Sequence, residues 1–190
     1  MRTCLSIFCL LVFFVSAEAQ QKKQWYLLPQ LGLLNGDGAV SGQVMLSGGI
    51  VRKGWDIGLG VGVDYYEIRS VPLVADIRKH IATLPLFIYT NIGYNIAAPL
   101  TKQYIYSEDG WGHSRSSFSG GWYAEPGIGY DVLLKKDHRF VMSIGYSVKT
   151  MHEKYTETIA RDFPPYFSEV NERSYDYRFN RFVFRLGFRL

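Results

Sequence analysis

The last ten residues, RFVFRLGFRL, alternate strictly: Phe182, Phe184, Leu186, Phe188 and Leu190 take one set of positions, and Val183, Arg185, Gly187 and Arg189 the other. This period of two constrains the fold more than any other feature, because only a strand sends successive side chains to opposite faces. The pattern recurs. In WDIGLGVGVDY, Trp55, Ile57, Leu59, Val61, Val63 and Tyr65 oppose Asp56, Gly58, Gly60, Gly62 and Asp64. LFIYTNIGYNI (86–96), WYAEPGIGYDV (122–132) and FVMSIGYSVK (140–149) repeat it, and WYLLPQLGLL (25–34), GQVMLSGGIV (42–51) and VPLVADIRK (71–79) are weaker versions. No helical period persists. The segments number eight, and an even number of antiparallel strands closes a sheet with both chain ends on one side.

The connections sort themselves by length. Residues 52–54, the neighbourhood of Ala82 and Thr83, and residues 135–138 are short links at one end. The opposite end carries the two long ones, 97–117 and 150–174, together with short links at 35–38 and 69–70. Short turns at one rim and longer loops at the other are the layout of a transmembrane barrel. The expected fold is therefore all-β: an eight-stranded antiparallel transmembrane up-and-down β-barrel.

Which face meets water decides between a soluble barrel and a membrane one. A cation facing lipid at mid-bilayer costs about 2–4 kcal/mol, an acid somewhat less. Turning the apolar face inward would place Asp56, Asp64, Asp76, Arg78, Glu125, Asp131, Lys149 and Arg185 in or near lipid. The summed cost exceeds the roughly 5–15 kcal/mol that holds a domain together. These eight are the expected interior charges, with Glu125–Arg185 and Asp56–Arg78 as expected pairs, since unpaired buried charge is costly. An eight-stranded barrel is only wide enough for packed side chains, so the glycines opposite the apolar face make room for Arg78, Glu125 and Arg185. The aromatics fall into two groups, Trp25, Trp55, Tyr130, Phe140 and Phe188 near one rim and Tyr65, Tyr94, Trp122 and Tyr146 near the other. Two belts suit the two interfaces of a bilayer.

The front of the chain supplies the route. MRTCLSIFCLLVFFVSAEA has one arginine, an apolar run too short for a comfortable membrane helix, and a small-x-small cleavage site. Residues 1–19 are expected to be a cleaved signal peptide and residues 20–190 the barrel domain. Both cysteines lie in the leader, which leaves the exported part without disulfide or thiol chemistry. A net charge of +4 without basic runs argues against nucleic acid. No metal-ligand cluster, phosphate-cradling loop or nucleotide motif is present, and no cofactor is expected.

The signal peptide, VPLVADIRK leading into PLFIYTNIGYNI, GGWYAEPGIGYDV and the aromatic-alternating last strand together resemble the small β-barrel proteins of the Gram-negative outer membrane, the eight-stranded class that includes OmpX-like and OmpA-like barrels. The resemblance covers essentially the whole exported chain. It implies residence among outer-membrane lipid and lipopolysaccharide, and a C-terminal signal on Phe182, Phe184, Phe188 and Leu190 for the barrel-assembly machinery. Barrels of this size serve as adhesins, lipid-modifying enzymes and tethers, so the fold does not choose a role. The favoured expectation is a non-enzymatic surface protein, structural or recognising an extracellular ligand through its long loops. Tyr104, Tyr106, Trp111, Phe163, Tyr166 and Phe167 are the candidate recognition residues there; packing of the two loops over the barrel mouth is the competing use of the same residues.

The alternatives are a lipid- or lipopolysaccharide-modifying enzyme and a soluble periplasmic lipocalin-like binding barrel. For the enzyme the raw material is His113 near Asp109, Ser114, Ser116 and Ser117, and His152 beside Glu153. His80 and His138 are expected to be solvated at the periplasmic end. A pore is the weakest reading, because eight strands enclose no aqueous channel.

Overall fold

A computed structural model describes residues 24–36, 39–81, 84–99, 104–106, 112–135, 138–161 and 167–190. The expected leader, Asp109, Trp111, Phe163 and Tyr166 lie outside the described residues. Strands β1 (Gln24–Gly36), β2 (Ala39–Arg52), β3 (Trp55–Asp64), β4 (Ser70–His80) and β5 (Leu86–Ala97) follow one another around a sheet. Then come the short β6 (Tyr104–Tyr106) and β7 (Gly112–Ser119), and the long β8 (Gly121–Lys135), β9 (His138–Arg161) and β10 (Phe167–Arg189). Every pairing is antiparallel, and β10 bonds to both β9 and β1, which closes the ring.

Eight strands form the wall: β1 to β5 and β8 to β10. A circuit of paired residues runs Gln24, Val51, Asp56, Arg78, Tyr89, Gly127, Gly145, Val183 and back to Leu34. It returns to β1 ten residues from its start, a stagger that tilts the strands by roughly 35–45°. The turn between β2 and β3 explains how one register is set. Lys53 and Gly54 both adopt positive φ, 49° and 75°, the left-handed pair of a two-residue hairpin whose twist matches its strands.

The structure departs from expectation at the long connections. Much of 97–117 and 150–174 is strand, not loop: β9 and β10 run on in register as far as Phe167↔Arg161, and β7 lies along the upper half of β9 with β6 beside it. The hydrogen-bond ladder simply continues past the wall. HSRSSF in β7 and NERSYDYR in β10 lack apolar alternation because beyond a bilayer neither face needs it.

Inside and outside are inverted relative to a soluble protein. Leu59 is 75% exposed while Asp56, on the opposite face of the same strand, is 0% exposed. Leu31, Leu33, Ile57, Ile88, Ile128, Ile144, Phe182 and Phe184 all face out, and so do both aromatic groups, from Trp25 and Trp55 to Trp122 and Tyr94. An apolar waist flanked by aromatic girdles is a surface made for lipid. No helix among the described residues is long and apolar enough to cross a membrane.

The interior glycines have a different use from the one expected. Gly32 does make room for the Arg185 side chain, but Gly129 faces the Phe87 ring, and Gly127 and Gly145 face Tyr89. Inward rings lie flat over backbone that has no Cβ, so bare ladder is covered by aromatic surface. Gly129→Val is expected to cost about 1–3 kcal/mol through overpacking against Phe87. Gly42→Val, at a position with open space around it, serves as the control with little change in the same urea titration.

Candidate functional site

The lumen is crossed by three tiers of charge. Near the rim of short turns, the buried Asp56 accepts from Arg189 at 2.7 Å and faces His80 Nε2 at 2.8 Å. The His80 Nδ1 lies 3.5 Å from Asp131, which Arg139 approaches at 3.3 Å. The middle tier has two parts. Arg78 clasps Asp76 through Nε and Nη2, both at 2.8 Å, and reaches Gln30 at 3.4 Å. Arg185 contacts Glu125 and donates to Gln43 Oε1 at 3.0 and 2.8 Å, while Tyr89 and Tyr123 donate their hydroxyls to the two Glu125 oxygens. In the upper tier Asp64 lies between Arg181 and Lys149. Arg181 also donates to Ser147, and Lys149 to the carbonyls of Tyr66 and Ile68 and to the Ser70 hydroxyl.

All eight residues named from the sequence as interior charges are buried. Glu125 and Arg185 meet as a pair. Asp56 and Arg78 do not, although they are cross-strand neighbours. The Arg78 guanidinium turns toward Asp76, two residues back on its own face, and Asp56 is taken by His80 and Arg189. His80 is thus a member of the lowest tier, not a solvated group; its ring leans on Phe87. His138 is exposed and stacks on Phe188, their centroids 5.6 Å apart.

Sequence reasoning passed over Arg181, Arg189, Gln43 and Tyr123. A signal for the arginines was present: 181, 185 and 189 share one parity on one strand, so they share a face. Each then serves a different tier. Aromatic rings complete the solvation of the cations, with Arg181 over Tyr66, Lys149 over Phe179, Arg78 over Phe87 and Arg189 over Tyr26, all between 5.2 and 5.5 Å from the ring centre. Such a lumen is a packed polar core rather than a channel. Among the described residues no cluster of three or more His, Cys, Asp or Glu is arranged to hold a metal ion.

The second candidate site is the sheet standing above the wall. The β9 ladder leaves β8 after Tyr123↔Lys149 and continues with β7 to Ile159, while β10 leaves β1 at Gly36↔Arg181. Of the expected recognition residues, Tyr104 and Tyr106 form the ends of β6 and Phe167 opens β10. His113 pairs in the ladder with Tyr106 and Thr158. His152 and Glu153, adjacent in sequence, project from opposite faces; His152 contacts Asp176, and Glu153 accepts from the Tyr177 hydroxyl at 2.7 Å.

No family model and no curated protein matches the sequence. Among solved structures the chain is similar to the outer membrane protein AlkL, determined by solid-state NMR in DMPC lipid bilayers, with 10% sequence identity, a TM-score of 0.50 and 92% of each chain covered. With the closed antiparallel ring and its outward apolar waist, this likeness makes the fold, over nearly the whole chain, that of an outer-membrane β-barrel.

Proposed function

We propose that this chain resides in the outer membrane of a Gram-negative cell, where its role is carried by the sheet that projects from the barrel and recognises a partner outside the cell. One observation carries the reading. Crossing a bilayer takes about 9–11 tilted residues per strand, whereas β9 has 24 and β10 has 23. The surplus builds an ordered platform where loose loops would suffice to link the strands. From Phe167 to Asn180, β10 bonds to β9 on one side, and among the described residues no strand pairs with its other side. An open edge of that length offers backbone donors and acceptors to an incoming strand. Glu172, Arg173, Asp176 and Arg178 alternate in sign along it, which discourages indiscriminate pairing and leaves a pattern for a partner to match.

Insertion is assigned to the barrel-assembly machinery, reading the outward Phe182, Phe184, Phe188 and Leu190 of the last strand. The test is attachment of cells displaying the full chain to protein-coated surfaces, compared with a variant in which residues 153–174 are replaced by a two-residue turn. The shortened barrel should keep its heat-modifiable migration on denaturing gels and lose attachment. Equal attachment by both forms would refute the recognition role and leave a purely structural one.

A further inference from the structure

Three residues from three strands stand in one row on the outer face. Ser119 of β7 is the cross-strand partner of His152 in β9, and His152 is the cross-strand partner of Asp176 in β10. Directly opposed side chains on one face have Cβ atoms about 4.5–5.5 Å apart. The face is fixed by neighbours: Lys149 and Met151 are buried inside, so His152 points out, and Asp176 shares its side of β10 with the outward Phe182 and Phe184. Asp176 accepts from His152 Nδ1. A carboxylate there fixes the Nδ1–H tautomer and leaves the Nε2 lone pair to take a proton. The Ser119 hydroxyl donates to the His152 carbonyl oxygen at 3.4 Å, which keeps it beside that residue.

Location supplies the substrate. The row sits just above Thr150 and Trp122, whose backbone N–H is held by the Thr150 hydroxyl at 2.7 Å. Trp122 is 72% exposed and belongs to the outer aromatic belt with Tyr94 and Tyr146. Belts of this kind mark the level where lipid headgroups meet acyl chains, and that is where acyl esters lie. Lys154 and Arg178 flank the row on the same face, two residues from His152 and Asp176. They would hold an anionic headgroup and face the negative charge that grows on an ester carbonyl. As a surface ion pair alone, His152–Asp176 would be worth little; a serine in register beside it gives the arrangement a chemistry.

We propose that Ser119, His152 and Asp176 form a hydrolytic site for acyl esters of anionic amphiphiles in the outer leaflet. His152 Nε2 takes the Ser119 proton as Oγ adds to the acyl carbonyl carbon. The ester C–O bond then breaks, and the leaving alcohol takes that proton from His152. Water, losing a proton to His152, adds to the acyl-serine; the Ser119–acyl bond breaks, releasing the carboxylic acid and restoring the hydroxyl. The sum is ester plus water giving acid plus alcohol. Ser119 and His152 are the catalytic residues, and Asp176 is a positioning residue. This site differs from the His113 group that the sequence suggests, and it departs from the non-enzymatic expectation.

The test uses the full exported chain folded into phosphatidylethanolamine–phosphatidylglycerol vesicles and treated with an alkyl fluorophosphonate, which marks activated serines whatever their acyl preference. Mass spectrometry should find the adduct on Ser119. His152→Asn should slow its formation about 100-fold or more, and Ser119→Ala should remove it. Asp176→Asn should slow it, and Asp176→Glu should restore part of the rate, a rescue that a merely structural role would not give. All variants should keep heat-modifiable migration. Fatty-acid release from the vesicles would identify a phospholipid substrate, and release only from added lipopolysaccharide would identify a glycolipid. An unlabelled Ser119, or equal labelling in His152→Asn, would show an ordinary surface ion pair and overturn the proposal. Labelling without release from either lipid would overturn the substrate class.

Discussion

Replacing Arg185 by leucine is expected to lower the unfolding free energy by about 3–5 kcal/mol, the usual penalty for removing one partner of a buried pair. Glu125 would remain buried with only the hydroxyls of Tyr89 and Tyr123 to solvate it, and Gln43 would lose both donors to its carbonyl oxygen. Glu125→Leu should cost somewhat less, because Arg185 would keep Gln43. The double variant should cost clearly less than the sum of the two, since neither charge is left behind. Urea unfolding in phospholipid vesicles, followed by tryptophan fluorescence, measures all three. Simple additivity would mean that the two residues contribute independently, against the contact between them.

The second large effect belongs to Asp64. It is the buried carboxylate of the upper tier, shared by Arg181 and Lys149, and it also accepts from the Tyr66 backbone N–H at 2.8 Å. Asp64→Leu would leave two buried cations facing each other without the buried acid that both contact. The expected loss lies at the upper end of the same range, about 5 kcal/mol. Adding Lys149→Met removes one of the stranded charges and should return part of the stability. If the second substitution makes the barrel weaker still, the tier is held by the Lys149 bonds to Tyr66, Ile68 and Ser70 more than by its ion pairs.

The barrel was legible because alternation and cost act residue by residue. Leu59 beside Gly58, or Phe184 beside Arg185, states which side is oil with no reference to the rest of the chain. The interior charges could be named for the same reason. Their partners were harder to read, because a partner depends on rotamer and stagger. Asp56 and Arg78 are direct neighbours in the ladder, yet Arg78 prefers Asp76 on its own strand, and Asp56 is reached from across the lumen by Arg189. Tyr89 and Phe87 show the same limit: their parity places them inside, but nothing local says that they cover Gly127, Gly129 and Gly145. The outer strands were illegible for a further reason. With both faces away from lipid, β7 and the upper part of β10 carry no period of two, so a polar strand reads as a loop. The row formed by Ser119, His152 and Asp176 exists only once three strands, far apart in sequence, have found their register.

One arrangement bears on how such a chain is finished. Asp64, Glu125 and Asp56 belong to strands made earlier, and the arginines that answer them, 181, 185 and 189, all arrive on the final strand. Until that strand docks, Glu125 lacks its arginine, Asp64 has only Lys149 and Asp56 only His80, and the cylinder has a gap beside β1. Without β10 the lumen would hold an excess of acid in a place that must become dry. Closing the ring and completing the charge balance of the lumen are therefore one event, carried by β10.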